Sequence, residues 1–216
     1  MKIALIGATG FVGAPVLQEL LARGHQVVAL ARNPAKLTAR PGLSVLEADA
    51  KNADSVAAAV QGADAVVSAY NPGWGVADIY TEFLDGTRAI YAGVKQAGVK
   101  RLLVVGGAGS LYAAPGLQLV DTPEFPAEWK QGALAAREAL NLIRAETTLD
   151  WSFLSPAVHL EPGERRGRYR LGLESPVMDS DPSKGPAHIS VADLAVAIVD
   201  ELETPQHIQR RFTVGY

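Results

Sequence analysis

An α/β fold, a doubly wound parallel sheet in a single domain spanning 1–216, is the architecture the sequence predicts. Three observations carry it: short apolar runs alternate with stretches of helical period, most helical stretches stop at a glycine, and the first strand runs into a glycine-spaced turn. Buried parallel strands read as continuous apolar runs, and their crossover helices read at a period near 3.6. Repeated alternation therefore means a parallel sheet covered on both faces.

The strand-like runs are 3–6, 27–31, 45–47, 65–69, 102–105 and 151–154, and helical patterns lie at 12–23, 54–60, 76–97 and 127–145. Gly24, Gly62 and Gly98 stand where a helix C-cap needs a left-handed residue. After Pro156 the pattern changes. The segment 157–187 is rich in proline, glycine and charge and reads as a loop-rich, substrate-side insertion with one short hairpin, a small irregular C-terminal region beside the sheet. Order returns at "ISVADLAVAIVDELE", where Ser190 followed by Asp193 predicts a capped helix, and "RRFTVGY" predicts a last strand.

A chain of 216 residues, 48% hydrophobic, is long enough for one well-buried domain and short for two. Its net charge of -3 argues against a nucleic-acid surface. The absence of cysteine excludes disulfides and thiol catalysis. No charged leader precedes "KIALIG" and no apolar run reaches membrane-spanning length, so a soluble, cytoplasmic protein without membrane partners is expected, as a monomer or homodimer. His25, His159, His188 and His207 lack the spacing of metal ligands, and no metal is expected.

The turn after the first strand is "GATGFVG". Gly7 makes the tight turn, Gly10 lets backbone approach a pyrophosphate and Gly13 lets the helix lie close to the sheet. The helix N-terminus then offers N–H groups and a positive dipole end to phosphates. A glycine triplet alone is a weak signal, but following a strand and opening a helix it marks the Rossmann-type dinucleotide site. After the second strand an NAD-preferring site carries an acid for the ribose 2′-hydroxyl, whereas this chain has Arg32. A guanidinium pairs with a 2′-phosphate, so NADP(H) is read over NAD(H), the alternative being a solvated arginine. Asp49 and Ala50, after the third strand, either hold an adenine or, in the case of Asp49, cap the next helix.

"YAGVK", Tyr91 to Lys95, has the spacing with which many dehydrogenases move a proton. Its helix follows the fourth strand, which puts Tyr91 about 20 Å below the edge where ligands bind. The pair is a decoy. The helix after the fifth strand, where such a relay belongs, reads "FPAEWKQGALAAREAL" and has no tyrosine four residues before a lysine. Ordinary alcohol dehydrogenation is therefore disfavoured.

With these features the chain resembles the atypical short-chain dehydrogenases, most nearly the bacterial NADH-flavin reductase family, related to biliverdin reductase B and the NmrA-like proteins. Besides the glycine loop, the resemblance rests on "GGAGSL" (106–111), "LDWSFLSPA" (149–157), "PGERRGRYRLG" (162–172) and the stretch from "ISVADLAV" to "RRFTVGY". It implies Thr9, Gly10, Phe11 and Val12 around the pyrophosphate, Ser68 and Ala69 along the ribose, and Pro156 and Ala157 beside the nicotinamide. Relatives carry a serine after the fifth strand and a histidine after the sixth near the nicotinamide. The nearest candidates here, Ser110 and His159, are each displaced from a clean match.

Flavin reduction suits a site without a proton relay, because the nicotinamide supplies the reactivity and the protein aligns two rings. The expected function is an NADPH-dependent reductase of a flavin or quinone, the flavin serving as substrate and not as a bound group. Trp74 and Tyr112, on loops after the fourth and fifth strands, either stack on a planar acceptor or pack a lid. Arg165, Arg166, Arg168 and Arg170 either attract a phosphate or form a solvated hairpin neutralised by Glu161 and Glu164. Two further functions stay open: an NADP(H) sensor of the NmrA type, and an epimerase or dehydratase, for which no acid-base groups are found at the ligand edge.

Overall fold

The computed structural model describes residues 1–216, the side chain of Pro182 excepted. In chain order the elements are β1 (Lys2–Ile6), α1 (Gly13–Ala22), β2 (Gln26–Ala31), β3 (Leu43–Glu47), α2 (Ala53–Val60), β4 (Ala65–Ser68), α3 (Ile79–Gln96), β5 (Arg101–Val105), β6 (Tyr112–Ala114) and β7 (Leu117–Gln118). There follow α4 (Ala127–Arg144), β8 (Asp150–Ser155), β9 (His159–Glu161), β10 (Arg170–Gly172), β11 (His188–Ser190), α5 (Val191–Glu203) and β12 (Arg210–Gly215). The expected strands and helices are present to within a few residues.

Eight strands form one sheet in the order β10-β12-β8-β5-β4-β1-β2-β3. All pairs are parallel except β10 against β12. Period-2 alternation sends Leu103, Leu154 and Phe212 to the face covered by α1 and α5, and Leu102, Phe153 and Trp151 to the face covered by α2, α3 and α4. Each of these side chains is essentially out of water, and burial at that level stabilises by about 1.5–3 kcal/mol per large apolar side chain. Helix starts follow their polar caps: Asn52 accepts from the Ser55 N–H at 3.0 Å, Asp78 from Thr81 at 3.2 Å and Ser190 from Asp193 at 3.0 Å. The cap at Asp78 explains why α3 starts three residues later than its apolar pattern suggests.

The segment 157–187 departs from expectation. Beyond the expected short antiparallel turn-back, at Met178 and Pro186, β9 pairs in parallel with β11, and β10 leaves to become the antiparallel edge of the main sheet. A second, unexpected hairpin lies after β5, where β6 and β7 pair around Gly116 (φ 76°). The four arginines are exposed, as a solvated run would be, but among the described residues Glu161 and Glu164 do not pair with them. Arg165 makes two 2.8 Å bonds to Glu19 of α1, the Arg166 guanidinium lies 4.3 Å over the Tyr216 ring, and Arg170 bonds the carbonyls of Met178 and Tyr216. Three of the four cations therefore fasten the insertion to the body. The backbone N–H groups of Arg166 and Gly167 donate to the fully buried Asp193, which also accepts from the Tyr216 hydroxyl at 2.5 Å. The Arg165 hydrogen bond, reinforced by Arg23 and opposed by burial, holds the Glu19 carboxyl at about 2.

At the amino edge of the sheet lies a buried polar network. The Arg101 guanidinium donates to the Asp150 carbonyl (2.9 Å), Ser152 Oγ (2.8 Å) and both the carbonyl and carboxylate of Glu201 (3.0 and 3.2 Å). Glu201 also accepts from Ser152 Oγ and from the backbone of Gln206 and His207, and His207 stacks on Phe212 at 4.4 Å. The network joins β5, β8, α5 and the turn into β12 far from the opposite edge, where the strands point their carboxyl ends.

Candidate cofactor and acceptor site at the carboxyl edge

β1 ends in a turn whose own packing demands two of its three glycines. Gly7 has φ 84°, and a Cβ there would lie 2.4 Å from the Ala69 carbonyl oxygen. A Cβ on Gly13 would lie 2.0 Å from the Gly7 oxygen. Gly10 differs: its N–H donates to Gly7 at 2.9 Å, but a Cβ would meet only that oxygen at 3.2 Å. α1 starts after Val12 with no side-chain cap, and while the Ala14 N–H is taken by the Gly10 carbonyl, those of Val12 and Gly13 are left at the edge. Thr9, Gly10 and Phe11 are exposed around it, and Val12 is half-buried.

The neighbouring strand ends complete the edge. Arg32, just past β2, is exposed, and among the described residues it belongs to no ion pair. It shares this corner with Asp49, Lys51 and Tyr70: burial pushes the Tyr70 hydroxyl up, and the Lys51 and Arg32 cations pull against that shift. Tyr70 was not anticipated from sequence. Its ring lies against Gly86 of α3, where a Cβ would come within 2.3 Å, and its hydroxyl donates to the Glu82 carbonyl at 3.0 Å. The alternative role for Asp49, capping α2, is excluded, since Asn52 is the cap and the Asp49 carboxylate accepts from the Lys51 N–H at 2.9 Å. Ala50 beside it is half-buried. Ser68 ends β4 buried, the Ala69 N–H donates to Ile6 at 3.0 Å, and Pro156 and Ala157 follow β8 below the surface.

On the acceptor side the expected residues separate. Ser110 is 2% exposed and its hydroxyl accepts from Arg211 at 3.2 Å. Arg211, wholly buried, also bonds the Glu174 carboxylate, which Arg144 shares. Ser110 therefore faces inward to this clasp, whereas His159 stands exposed on β9, in register with His188. No hydrogen bond joins Ser110 and His159 among the described residues. Tyr112 is half-buried, its N–H donating to Glu174 at 2.8 Å. Trp74 is 61% exposed and Trp129, at the start of α4, 52%. No group of three or more histidine or acidic side chains among the described residues is placed to hold a metal, and no helix of the described residues is long and apolar enough to cross a membrane.

A family model described as NAD(P)H-binding matches residues 7–205. The chain belongs to this NAD(P)H-binding family. Within it, the chain is 40% identical to the uncharacterized protein YwnB of Bacillus subtilis, over 99% of this chain and 98% of that one. Among solved structures, a candidate epimerase from Bacteroides thetaiotaomicron is 48% identical over 100% and 96% of the two chains, with a TM-score of 0.92. A candidate NADH-flavin reductase from Streptococcus pneumoniae is 36% identical over 99% and 98%, with a TM-score of 0.85. Both solved structures share the Rossmann-type fold of this chain.

The tyrosine-lysine spacing at "YAGVK" serves packing and an ion pair in this chain. Tyr91 packs half-buried against α4, donating its hydroxyl to the Ala139 carbonyl at 3.2 Å, and burial of the hydroxyl pushes its ionisation up. Lys95 pairs with Glu146 at 2.6 Å and, as the leading cause, holds that carboxyl at about 2. Tyr91→Phe should therefore cost about 1 kcal/mol of stability and leave cofactor affinity unchanged. A melting curve and NADPH calorimetry on the variant check both halves.

Proposed function

We propose that the protein is an NADPH-dependent reductase that passes hydride to a planar flavin or quinone, acting in the cytoplasm. One observation carries the reading: the carboxyl edge combines an uncapped helix N-terminus and an unpaired Arg32 with a helix α4 that lacks the tyrosine-lysine relay. The donor set fits a phosphorylated dinucleotide. Backbone N–H groups at 11–13 face the pyrophosphate, and because the turn itself nearly tolerates a side chain at Gly10, close approach of a ligand explains the glycine there. Arg32 then pairs with the 2′-phosphate, Asp49 and Ala50 border the adenine, and Ser68 and Ala69 line the ribose. Pro156 and Ala157, sunk below the edge, shape an apolar floor for the nicotinamide, and the insertion 157–187 covers the acceptor side.

When bound, NADPH supplies a hydride, and the acceptor takes it together with a proton from solvent, leaving the oxidised cofactor. The residues need only align and shield the two rings. The name of the pneumococcal relative supports the reading. The buried, inward-facing Ser110 removes one candidate proton donor, and His159 alone remains on the acceptor side.

Arg32→Glu tests the cofactor. Loss of charge-assisted bonds worth about 1.5–3 kcal/mol, with repulsion added, should weaken NADPH by roughly 10–100-fold and leave NADH nearly unaffected. Equal loss for both cofactors would remove the basis for NADP(H) preference. Turnover is tested by NADPH oxidation at 340 nm with FMN, riboflavin and a simple quinone. Tight NADPH binding without turnover on any of them would replace the reductase by the sensor.

A further inference from the structure

We propose that Trp74 and Trp129 bracket the ring of an oxidised flavin above the first turns of α3 and α4, with Gly132 as the residue that positions Trp74. The inference rests on the reductase reading and narrows its acceptor. A Cβ added at Gly132 would fall 2.6 Å from Cζ3 and 3.1 Å from Cη2 of Trp74, and 3.3 Å from Cδ1 of Ile79, the first residue of α3. The six-membered ring of Trp74 is thus seated directly on the backbone of α4, in the crevice between the two helix starts. Glycine inside a helix is unfavourable relative to alanine, so this position keeps a locally poor residue that admits the ring.

The ring it admits is not core. Trp74 remains 61% exposed, so the seat fixes the position of an aromatic face without removing it from water. Trp129 lies three residues before Gly132, on the same face of α4 and about 4.5 Å nearer the carboxyl edge. Side chains on a helix lean toward its N-terminus, which carries the Trp129 ring out over the edge. It too stays half in water. Neither indole is stacked on another aromatic ring among the described residues. Two large apolar surfaces held open to solvent, one immobilised by a glycine seat, suit an electron-poor planar ring that stacks on indole. Both lie where chain segments leave the ligand edge, Trp74 a few residues beyond Ser68.

The chain has three tryptophans, and Trp151 is 3% exposed, so the bracket is separable by mutation. The experiment follows quenching of FMN and riboflavin fluorescence by protein saturated with NADP+, which binds without turnover. Wild type should quench both flavins saturably. Trp74→Leu and Trp129→Leu should each weaken flavin affinity about tenfold, and Gly132→Ala should reproduce Trp74→Leu by unseating the ring. NADP+ calorimetry on the same variants, expected unchanged, shows that the fold and cofactor site are intact. Wild-type affinity in the tryptophan variants, or no saturable quenching by wild type, would overturn the bracket. NADPH oxidation is measured separately. Flavin turnover indifferent to both tryptophans would sink the bracket and spare the reductase. Tryptophan-dependent quenching without turnover would do the reverse.

Discussion

Glu201→Ala should destabilise the protein by about 3–5 kcal/mol, because it leaves the Arg101 guanidinium buried without its carboxylate. For a chain of this size that is a fall in melting temperature on the order of 10 °C. The guanidinium Nε already lacks a hydrogen-bond partner in the structure, so the remaining donors have little to fall back on. His207, whose ring and backbone both bind Glu201 (2.8 and 3.0 Å), loses its anchor as well, and with it the turn into β12. Glu201→Gln keeps the shape and one acceptor oxygen and should cost less. NADPH affinity, measured on the folded fraction at low temperature, should be unchanged, since the network sits at the opposite end of the sheet from the cofactor edge.

The same carboxylate sets an acid limit. Burial raises its pKa, but the hydrogen bonds from His207, Gln206 and Ser152 outweigh burial and hold it below the ordinary 4.5. In the window beneath 4.5 the unfolded chain binds the proton first, so stability rises with pH there. The contribution of Glu201 is complete above about 4.5 and is lost as pH falls through the lower, folded value. Glu19 and Glu146, both held at about 2, act in the same direction. A melting series from pH 7 down to pH 3 should show wild type losing more stability than Glu201→Gln across this window. Parallel curves would mean that Glu201 binds its proton equally in the folded and unfolded chain, so that its pKa is not lowered by the network.

Gly13→Ala should abolish cofactor binding at working concentrations. The added methyl would stand 2.0 Å from the Gly7 carbonyl oxygen and 3.1 Å from the Ala8 Cα, both backbone, so neither can yield by a rotamer change. Either α1 lifts from the sheet or the turn is pushed out. Overpacking of this kind costs about 1–3 kcal/mol of stability, and a misplacement of about 1 Å in a positioned site costs about a hundredfold. Gly10→Ala is the instructive comparison, because at 3.2 Å the apoprotein accommodates it with a shift of a few tenths of an ångström. It should fold like wild type and still bind NADPH poorly. Calorimetry with thermal melts on both variants separates the glycine that the fold needs from the one that the ligand needs.

The alternating pattern made most of the sheet legible, because β1 to β5 and β8 carry their evidence locally: apolar runs, helical period and glycines at helix ends. The glycine loop was legible for the same reason. What escaped reading depended on partners distant in the chain. β10 is three residues of mixed character whose strand identity comes from the register Leu171 to Val214, and nothing near residue 171 announces it. Ser110 read as a loop serine near the nicotinamide, and only the fold shows that Arg211 claims its hydroxyl. The arginine run looked like a phosphate patch because sequence separates Arg165 from Glu19 by most of the chain. Tyr70 had a visible but unused signal: an aromatic two residues past the strand that ends in Ser68, opposite a helix with a glycine at 86.

The late position of β12 has a consequence for how the molecule is made. On the ribosome, β1 to β5 and β8 can pair as they emerge, each beside a strand already synthesised. Residues 165–172 cannot, since β10 hydrogen-bonds only to β12, and Arg166 and Arg170 wait for Tyr216. The acceptor side therefore matures only once β12 has been made, and a nascent chain should acquire protease resistance over its cofactor half before it does so over residues 157–187.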